Sequence, residues 1–558
     1  MAYPAKLEKI VLAAGLAALL FGAAVLPSAA AVTTRFSLSA SRDTASDGSP
    51  GAAFRLAPAG SPRAASGRER AASPLVMSPN YRRAIVQLGL FAVFATYKYW
   101  SDYHDWIEDW QFELSWADQY RRFLTTEAIT FDSNAYITNW THVVGGTLYY
   151  QMARAAYLSW PESMLAAFIS SAFYEYVSEW REVISINDMT FTTFSGCAVG
   201  EPWFQLSDYF HHQKSPALRI LGFMNPINEL DHWLDRKKPA SRLYAAPGWA
   251  DLVLFVGWRQ SSETGRPSRD AAIISLETQL IRTPEYGKPG TFTKVRHDSS
   301  LNELSFTAAL RRRSPSDTEL RSGLNDEIDF YARVVGLSWY KQSIDELGRG
   351  SALSIGLGSA LTYLRKRPVF YDVRGAPVHI VPPPETPTGF TDKMTVAHLF
   401  GPVLDWTRFG RGVKVRVVAD AYFDFAMMNA FAMNAYSAVF PITGMKTTLS
   451  YYGYYYGYGV STSARVDVDW GSLRVRGLVS GHAWGSWQGR DRFQSAITND
   501  VAEADTRMRY FLRAGWRLGA VPVRAFVGLE GIHRWGKIGD VSAASQETRT
   551  FAGLSYLF

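Results

Sequence analysis

Four side chains between residues 142 and 188 are of types that move protons or hold metal ions: His142, Glu175, Glu179 and Asp188. Imidazole titrates near neutral pH, and a neighbouring carboxylate can orient the ring or share a cation with it. Two chemistries are open to this set. His142 with Glu175 and Glu179 could hold a metal of the imidazole and carboxylate type, or His142 could act as a base for hydrolysis, oriented by Asp188. A plain structural reading stands beside both. In it the glutamates are a solvated helix face, Asp188 is a cap in the S-x-x-D run from Ser185, and His142 is a core donor. The residues name no cofactor.

To bring these groups together, the chain around them must fold as helices. Apolar periodicity predicts helices over Ala84 to Trp100, Tyr136 to Leu158, Pro161 to Glu182 and Ser185 to Leu206, with Pro161 at a helix start. His142, Gly146, Tyr149 and Ala153 then share one face, and Thr193, Gly196 and Gly200 share a face of another helix. Two helices can approach closely through such glycines, which would bury His142 beside Asp188 or a glutamate. Glu175, Glu179 and Glu182 fall at i, i+4 and i+7 of the third helix. Arg154, Glu175, Glu179, Asp188 and Glu201 interrupt or flank these segments, so none reads as a membrane span.

From about Asp251 the period changes from 3.6 to 2. Val415, Val417, Ala419, Ala421 and Phe423 alternate with Lys414, Arg416, Val418, Asp420 and Tyr422, and Met508, Tyr510, Leu512, Ala514 and Trp516 oppose Arg507, Arg509, Phe511, Arg513 and Arg517. One face is oily and the other charged. A soluble sandwich turns its polar face outward, whereas a membrane barrel turns its oily face to lipid and its polar face to the lumen. The last strand, with Ala552, Leu554, Tyr556 and Phe558 on one face, resembles the C-terminal strand of Gram-negative outer-membrane proteins. The expectation is an α+β chain: a helical domain followed by a transmembrane antiparallel barrel of about twelve strands. Tyr451 to Tyr458 reads as an interfacial aromatic girdle rather than a sugar site, and the arginine-rich lumen face as a salt-bridged interior.

Composition agrees with that division. The chain has 558 residues, 18 Trp and 29 Tyr, and 20% charged residues, with a mean hydropathy of -0.10, which excludes a bundle of greasy helices for the whole. Its one cysteine, Cys197, rules out an internal disulfide and thiolate zinc sites. A net charge of +7 comes from 58 basic and 51 acidic residues without a basic, aromatic-laced run, so no nucleic acid is expected as partner. Residues 1–31 carry Lys6 and Lys9, an apolar run and small residues after Pro27, the plan of a secretory signal peptide. The predicted organisation is signal peptide 1–31, disordered linker 32–79, helical domain 80–240 and barrel 245–558.

Within the helical region, Asn139-Trp140-Thr141-His142, Gly146, Tyr149, Ala153-Arg154, Glu162-Ser163, Glu175, Glu179, Ser185-Ile186-Asn187-Asp188, Gly196 and Gly200-Glu201 resemble the bacterial domain of unknown function 3943. They look distantly like the VanZ-like glycopeptide-resistance proteins, which share a His, acid, Asp and Gly order. The resemblance implies a helical module at the cell envelope and brings no established reaction. Ser480-Gly481-His482 resembles the His and Ser strand motifs of outer-membrane phospholipases, but its parity with Arg474 and Arg476 turns it toward the lumen. The expected role is a non-enzymatic one in the outer membrane: an anchor, pore or docking module with the helices on the periplasmic side or plugging the barrel. Its expected partners are outer-membrane lipid and, during biogenesis, the barrel-assembly machinery. The alternative is an envelope lipid- or glycan-modifying hydrolase or transferase using His142, Glu175, Glu179 and Asp188.

Overall fold

The structure, a computed structural model, describes residues 78–103, 111–131, 137–235, 249–264, 268–283, 285–310, 325–366, 392–439, 454–487 and 501–558. The signal-peptide and linker expectations lie outside these residues, as does the start of the tyrosine run.

The helical module comprises α1 (Tyr81–Tyr103), α2 (Trp116–Leu124), α3 (Ile137–Ala155), α4 (Trp160–Phe173), α5 (Ile186–Thr190), α6 (Gly196–His211), α7 (Pro216–Gly222) and α8 (Pro226–Leu234), with short strands β1 (Ile129–Thr130) and β2 (Ile184–Ser185) paired in parallel. Local signals start several of these helices. Ser159 and Glu162 form a capping box before α4 with Pro161 in its first turn, and Asn225 caps α8 ahead of Pro226. Their ends are less regular. Beyond α4 the chain widens into a π-helical turn at Tyr174–Ser178, and a second such turn, Phe191–Ser195, joins α5 to α6. The third helix predicted from periodicity therefore ends at Ser178, short of Glu182, and the fourth runs from Ile186 to His211 with a π-helical turn inside it. Buried Arg122 of α2 stabilises the end of the first of these: its guanidinium donates to the carbonyls of Glu182 at 2.8 Å, Tyr176 at 2.6 Å and Glu179 at 3.0 Å, which the terminating helix leaves open.

Twelve strands, β3 (Trp249–Glu263), β4 (Arg269–Ile281), β5 (Thr291–Leu310), β6 (Asn325–Ile344), β7 (Gly350–Lys366), β8 (Asp392–Gly410), β9 (Val413–Asn429), β10 (Tyr454–Trp470), β11 (Leu473–Ser486), β12 (Glu503–Arg517), β13 (Val523–Ile538) and β14 (Val541–Leu557), form a closed barrel in which every neighbouring pair is antiparallel and β14 pairs back onto β3. Closure removes both sheet edges. The strand connections at one end run to nine residues at most (282–290, 345–349, 411–412, 471–472 and 518–522), whereas those at the other include 311–324, 367–391, 430–453 and 487–502 beside the short 264–268 and 539–540; α9 (Met433–Val439) lies in one of the long ones. Charged residues of alternating parity meet across the interior: Arg476 and Arg513 reach Glu277 at 2.7 and 2.8 Å, Arg474 reaches Asp251 at 2.7 Å, Arg465 reaches Glu303 at 2.6 Å, and Arg549 reaches Glu327 at 2.9 Å. These pairs join strands that are not neighbours, so side chains bridge the lumen. The space left is a cavity of about 310 Å³ lined by strand residues alone.

The helices sit elsewhere. Arg333, His398 and Asp424 point into the lumen, so their sequence neighbours Val334, Ala397 and Phe425 point outward. Val334 packs with Tyr149, Tyr150, Trp160 and Cys197, Leu361 with Val143 and Ala198, and Ala397 and Phe425 with Phe131, Phe191 and Tyr456. The module thus covers the outer wall of β6 to β10. At the short-turn end, Leu206 and Phe210 of α6 pack on Leu252 and Leu280, with Phe558 beside them; at the other, Phe131 stacks on Tyr456 with ring centres 4.9 Å apart. The expectation of a lumen plug is corrected by this placement. The interior is crossed by the barrel's own ion pairs, and the helices have an apolar face that matches the apolar outer wall.

Candidate functional site

His142 stands on α3 where that helix crosses the α5–α6 segment. Backbones meet there with no room for side chains: a Cβ on Gly146 would lie 1.8 Å from the carbonyl oxygen of Thr192, and one on Gly196 would lie 2.4 Å from the carbonyl carbon of Gly146. The close approach places His142 Nε2 3.1 Å from Asp188 Oδ1 and His142 Nδ1 3.4 Å from the Thr192 hydroxyl. Asp188 is held in turn. Its backbone N–H donates to Ser185 Oγ at 3.2 Å, and Asn187 Nδ2 donates to Asp188 Oδ1 at 2.9 Å. Burial pushes the Asp188 carboxyl up to about 7, against the lowering effect of the Ser185 and Asn187 hydrogen bonds. The His142 side chain keeps 17% exposure while that of Asp188 keeps 4%, so the imidazole is the group a substrate could reach. A partly accessible imidazole oriented by a buried acid is a geometry suited to proton transfer.

The other two predicted residues are placed differently. Glu175 is buried in the first π-helical turn, where its Oε2 accepts the Ser185 N–H at 3.0 Å and so braces the loop that carries Asp188. Glu179 follows that turn with φ -99° and ψ 43°, and the helical stripe of Glu175, Glu179 and Glu182 does not form. Tyr99 of α1 donates its hydroxyl proton to Glu182. Among the described residues, His142, Glu175 and Glu179 do not converge as a three-ligand metal set; the set that does converge is His211, Glu229 and His232.

The sequence marks Arg154 and Glu201 as charges at apolar segments and as positions of the family resemblance, without a role for either. They form a polar core where the module meets the barrel, since Arg154 also lies 3.6 Å from Asp298 and Glu201 is hydrogen-bonded by Ser299. Arg154 Nε lies 2.8 Å and Nη2 3.2 Å from the Glu201 carboxylate, which also accepts from Tyr150 at 2.7 Å and Gln205 at 2.6 Å. Desolvation would raise Glu201, but Arg154 outweighs it and holds the carboxyl down at about 2. The spacing of Arg154 four residues after Tyr150, opposite Glu201 four residues before Gln205, was a readable signal.

Ser480 and His482 face the lumen, as their parity indicated. His482 Nε2 lies 3.3 Å from Ser480 Oγ and its Nδ1 2.7 Å from Ser461 Oγ; Ser461 donates to Asp424, which also pairs with His398 at 2.6 Å. Outside the barrel, the apolar wall not covered by helices carries Val256, Val460, Met508, Leu512, Val527 and Leu554.

A closed twelve-stranded antiparallel barrel with an apolar outer wall and an ion-paired interior is a barrel of the outer-membrane type, here carrying a helical module on one side. Residues 128–227 match the family model described as a domain of unknown function, DUF3943, and nothing found supports the more distant VanZ-like likeness. No curated protein matches the chain. Solved structures similar to it include a loop L8 deletion mutant of OmpT, an outer membrane protein of Vibrio cholerae (8% identity over 56% of this chain and 99% of that one, TM-score 0.20). The translocator domain of the autotransporter NalP from Neisseria meningitidis shows 10% identity over 59% and 96%, with a TM-score of 0.18. A Pseudomonas aeruginosa FadL homologue shows 8% over 56% and 91%, with a TM-score of 0.21. At such scores the assignment of the barrel rests on its own strand pairing and surface.

Proposed function

We propose that this chain is an outer-membrane protein in which the ion-paired barrel is an anchor and the helical module on its wall is the working part, in a docking role at the cell envelope. One observation carries this reading: arginine and carboxylate pairs span the lumen while the apolar wall of β6 to β10 holds the helices. The short strand connections lie on the periplasmic side, following the general habit of such barrels. The surface of the module supports a lipid environment. Ile85, Leu90, Val93 and Tyr97 of α1 and Leu165 and Ile169 of α4 form exposed apolar stripes at helical spacing, Val93 at 70% exposure. No described helix is long and apolar enough to cross a membrane alone. A helix packed on a barrel needs only its outer stripe to be apolar, because its polar face is satisfied by the module. Outer-membrane lipid is the surrounding partner, and the barrel-assembly machinery acts during biogenesis.

In planar bilayers the purified protein is expected to show no steady open-channel conductance, since ion pairs close the lumen. A stable ohmic conductance would restore the pore and remove the anchor.

The 3.1 Å contact of His142 with Asp188 favours a second reading, an envelope lipid- or glycan-modifying hydrolase or transferase. Here His142 takes or gives the proton at the reacting oxygen, Asp188 orients the ring, and Glu175 holds the Ser185 turn. A positioned acid–base group contributes roughly 10²- to 10⁴-fold in rate. His142→Gln and Asp188→Asn should then lower turnover by that order while the barrel still shows its heat-dependent gel shift, and mass spectrometry of envelope lipids and glycans should show unmodified substrate accumulating. Profiles identical to wild type from a folded variant would leave the non-enzymatic role alone.

A further inference from the structure

The sequence drew attention to His142, but the described residues gather metal-ligand atoms at another place. His211 is the last residue of α6, and Glu229 and His232 stand one turn apart on α8. His211 Nε2 lies 2.6 Å from Glu229 Oε1, His232 Nδ1 lies 3.8 Å from the same oxygen, and one ligand atom from each residue falls within 4.8 Å of the other two. From this geometry we infer a binding site for a divalent transition metal of the zinc type, held by His211, Glu229 and His232.

Three features beyond proximity support the site. The first is its donor set. Two imidazoles and one carboxylate are the ligands of open, three-residue zinc and iron(II) centres, and a chain with a single cysteine has no thiolate alternative. Donors about 2.0–2.2 Å from a tetrahedral zinc ion are separated by roughly 3.3–3.6 Å. The 2.6 and 3.8 Å separations bracket that value and the third pair lies within 4.8 Å, so a metal needs side-chain shifts of up to about 1 Å rather than a rebuilt loop.

The second is rigidity. Gly222 lies directly beneath the His211 ring, where a Cβ would fall 2.5 Å from Cε1, and Phe223 meets the ring edge-on with centres 5.3 Å apart. The two imidazoles stand nearly perpendicular, with centres 5.8 Å apart. Asn225 caps α8 by accepting the Asn228 N–H, which fixes the helix presenting Glu229 and His232.

The third is access. The His211 and His232 side chains keep only 4% exposure each, but Glu229 keeps 21%, so a closed cradle has one open side. His211 follows Phe210, which packs on Leu252 and Leu280 at the short-turn end of the barrel wall. The site is independent of any role for His142, since its ligands come from other elements.

The full-length protein in detergent, stripped with chelator and reloaded with Zn²⁺, is expected to hold one equivalent by elemental analysis and to melt higher as free Zn²⁺ rises. Replacement by Co²⁺ should give the visible absorption of a tetrahedral or five-coordinate site. Glu229→Gln and His232→Gln should abolish stoichiometric binding and the absorption band while the heat-dependent gel shift of the barrel persists; His142→Gln should bind as wild type. A wild-type protein that takes up no stoichiometric Zn²⁺ or Co²⁺ overturns the site and leaves a hydrogen-bonded His211–Glu229 pair. So does metal uptake that survives both α8 substitutions or disappears with His142→Gln. The wild-type measurement alone decides the matter should an α8 variant fail to fold.

Discussion

Arg154→Ala is expected to destabilise the helical module by about 3–5 kcal/mol, because it leaves the buried Glu201 carboxylate with the neutral donors Tyr150, Gln205 and Ser299 and only the weaker influence of Arg282 in place of its paired cation. Limited proteolysis of the detergent-solubilised protein measures this directly, as cleavage within α3 to α6 at protease levels that spare wild type. The barrel should keep its heat-dependent gel shift, since its closure is made of strand pairs that the module does not enter. The pH dependence follows from the same pair. Glu201 is held at about 2 in the folded module, below its ordinary value near 4.5, so its stabilising contribution is complete above about pH 4.5 and is lost as pH falls toward 2. Wild type should therefore show an acid-induced loss of protease resistance in that window. Arg154→Ala should already be sensitive at neutral pH and lose less on acidification.

Gly336→Leu addresses the seam between module and barrel. Gly336 faces outward on β6, and a Cβ there would fall 2.2 Å from the indole ring of Trp160, which is buried against Val334. Forcing a side chain into such a contact typically costs about 1–3 kcal/mol, and the bulk here exceeds what one rotamer change can absorb. The expected result is a module displaced from the wall around α4, seen as proteolytic release of residues near 160–173 and increased Trp160 fluorescence quenching by a water-soluble quencher. Trp160→Ala, which removes the obstructing ring, should restore docking in the double variant relative to Gly336→Leu alone, although by itself it costs about 3–5 kcal/mol. If Gly336→Leu leaves the seam as protected as in wild type, the module does not rest on this wall.

Much of the architecture was legible because the physics behind it is local. A residue on a barrel strand meets either the lumen or the outside, so alternation along Val415 to Phe423 or Arg507 to Arg517 declares both a strand and its two faces. That alternation yielded the barrel and a strand number of about twelve, which is what closes. The pairing of His142 with Asp188 was likewise within reach, since Gly146 and Gly196 on two helices announce a close approach, and the residue one turn before Gly146 must lie at its edge.

Other features have no local signature. A π-helical turn inserts one residue and rotates everything after it by about 100°, which took Glu175, Glu179 and Glu182 out of the straight stripe their spacing suggested. Its stability depends on Arg122, more than fifty residues earlier, binding the carbonyls it leaves open. An outward apolar residue reads the same whether lipid or a helix covers it, so nothing in Val334, Leu361 or Phe425 distinguishes bare wall from docking wall. The convergence of His211 with Glu229 and His232 depends on how α6, α7 and α8 fold back on one another, a matter of tertiary packing around Gly222. The sequence by itself thus determined the barrel, its two faces and one helix crossing, because each follows from contacts repeated along a single element. Only the tertiary structure decided on which side of the wall the helices lie and where the ligands meet, because those outcomes depend on distant segments competing for the same apolar surface.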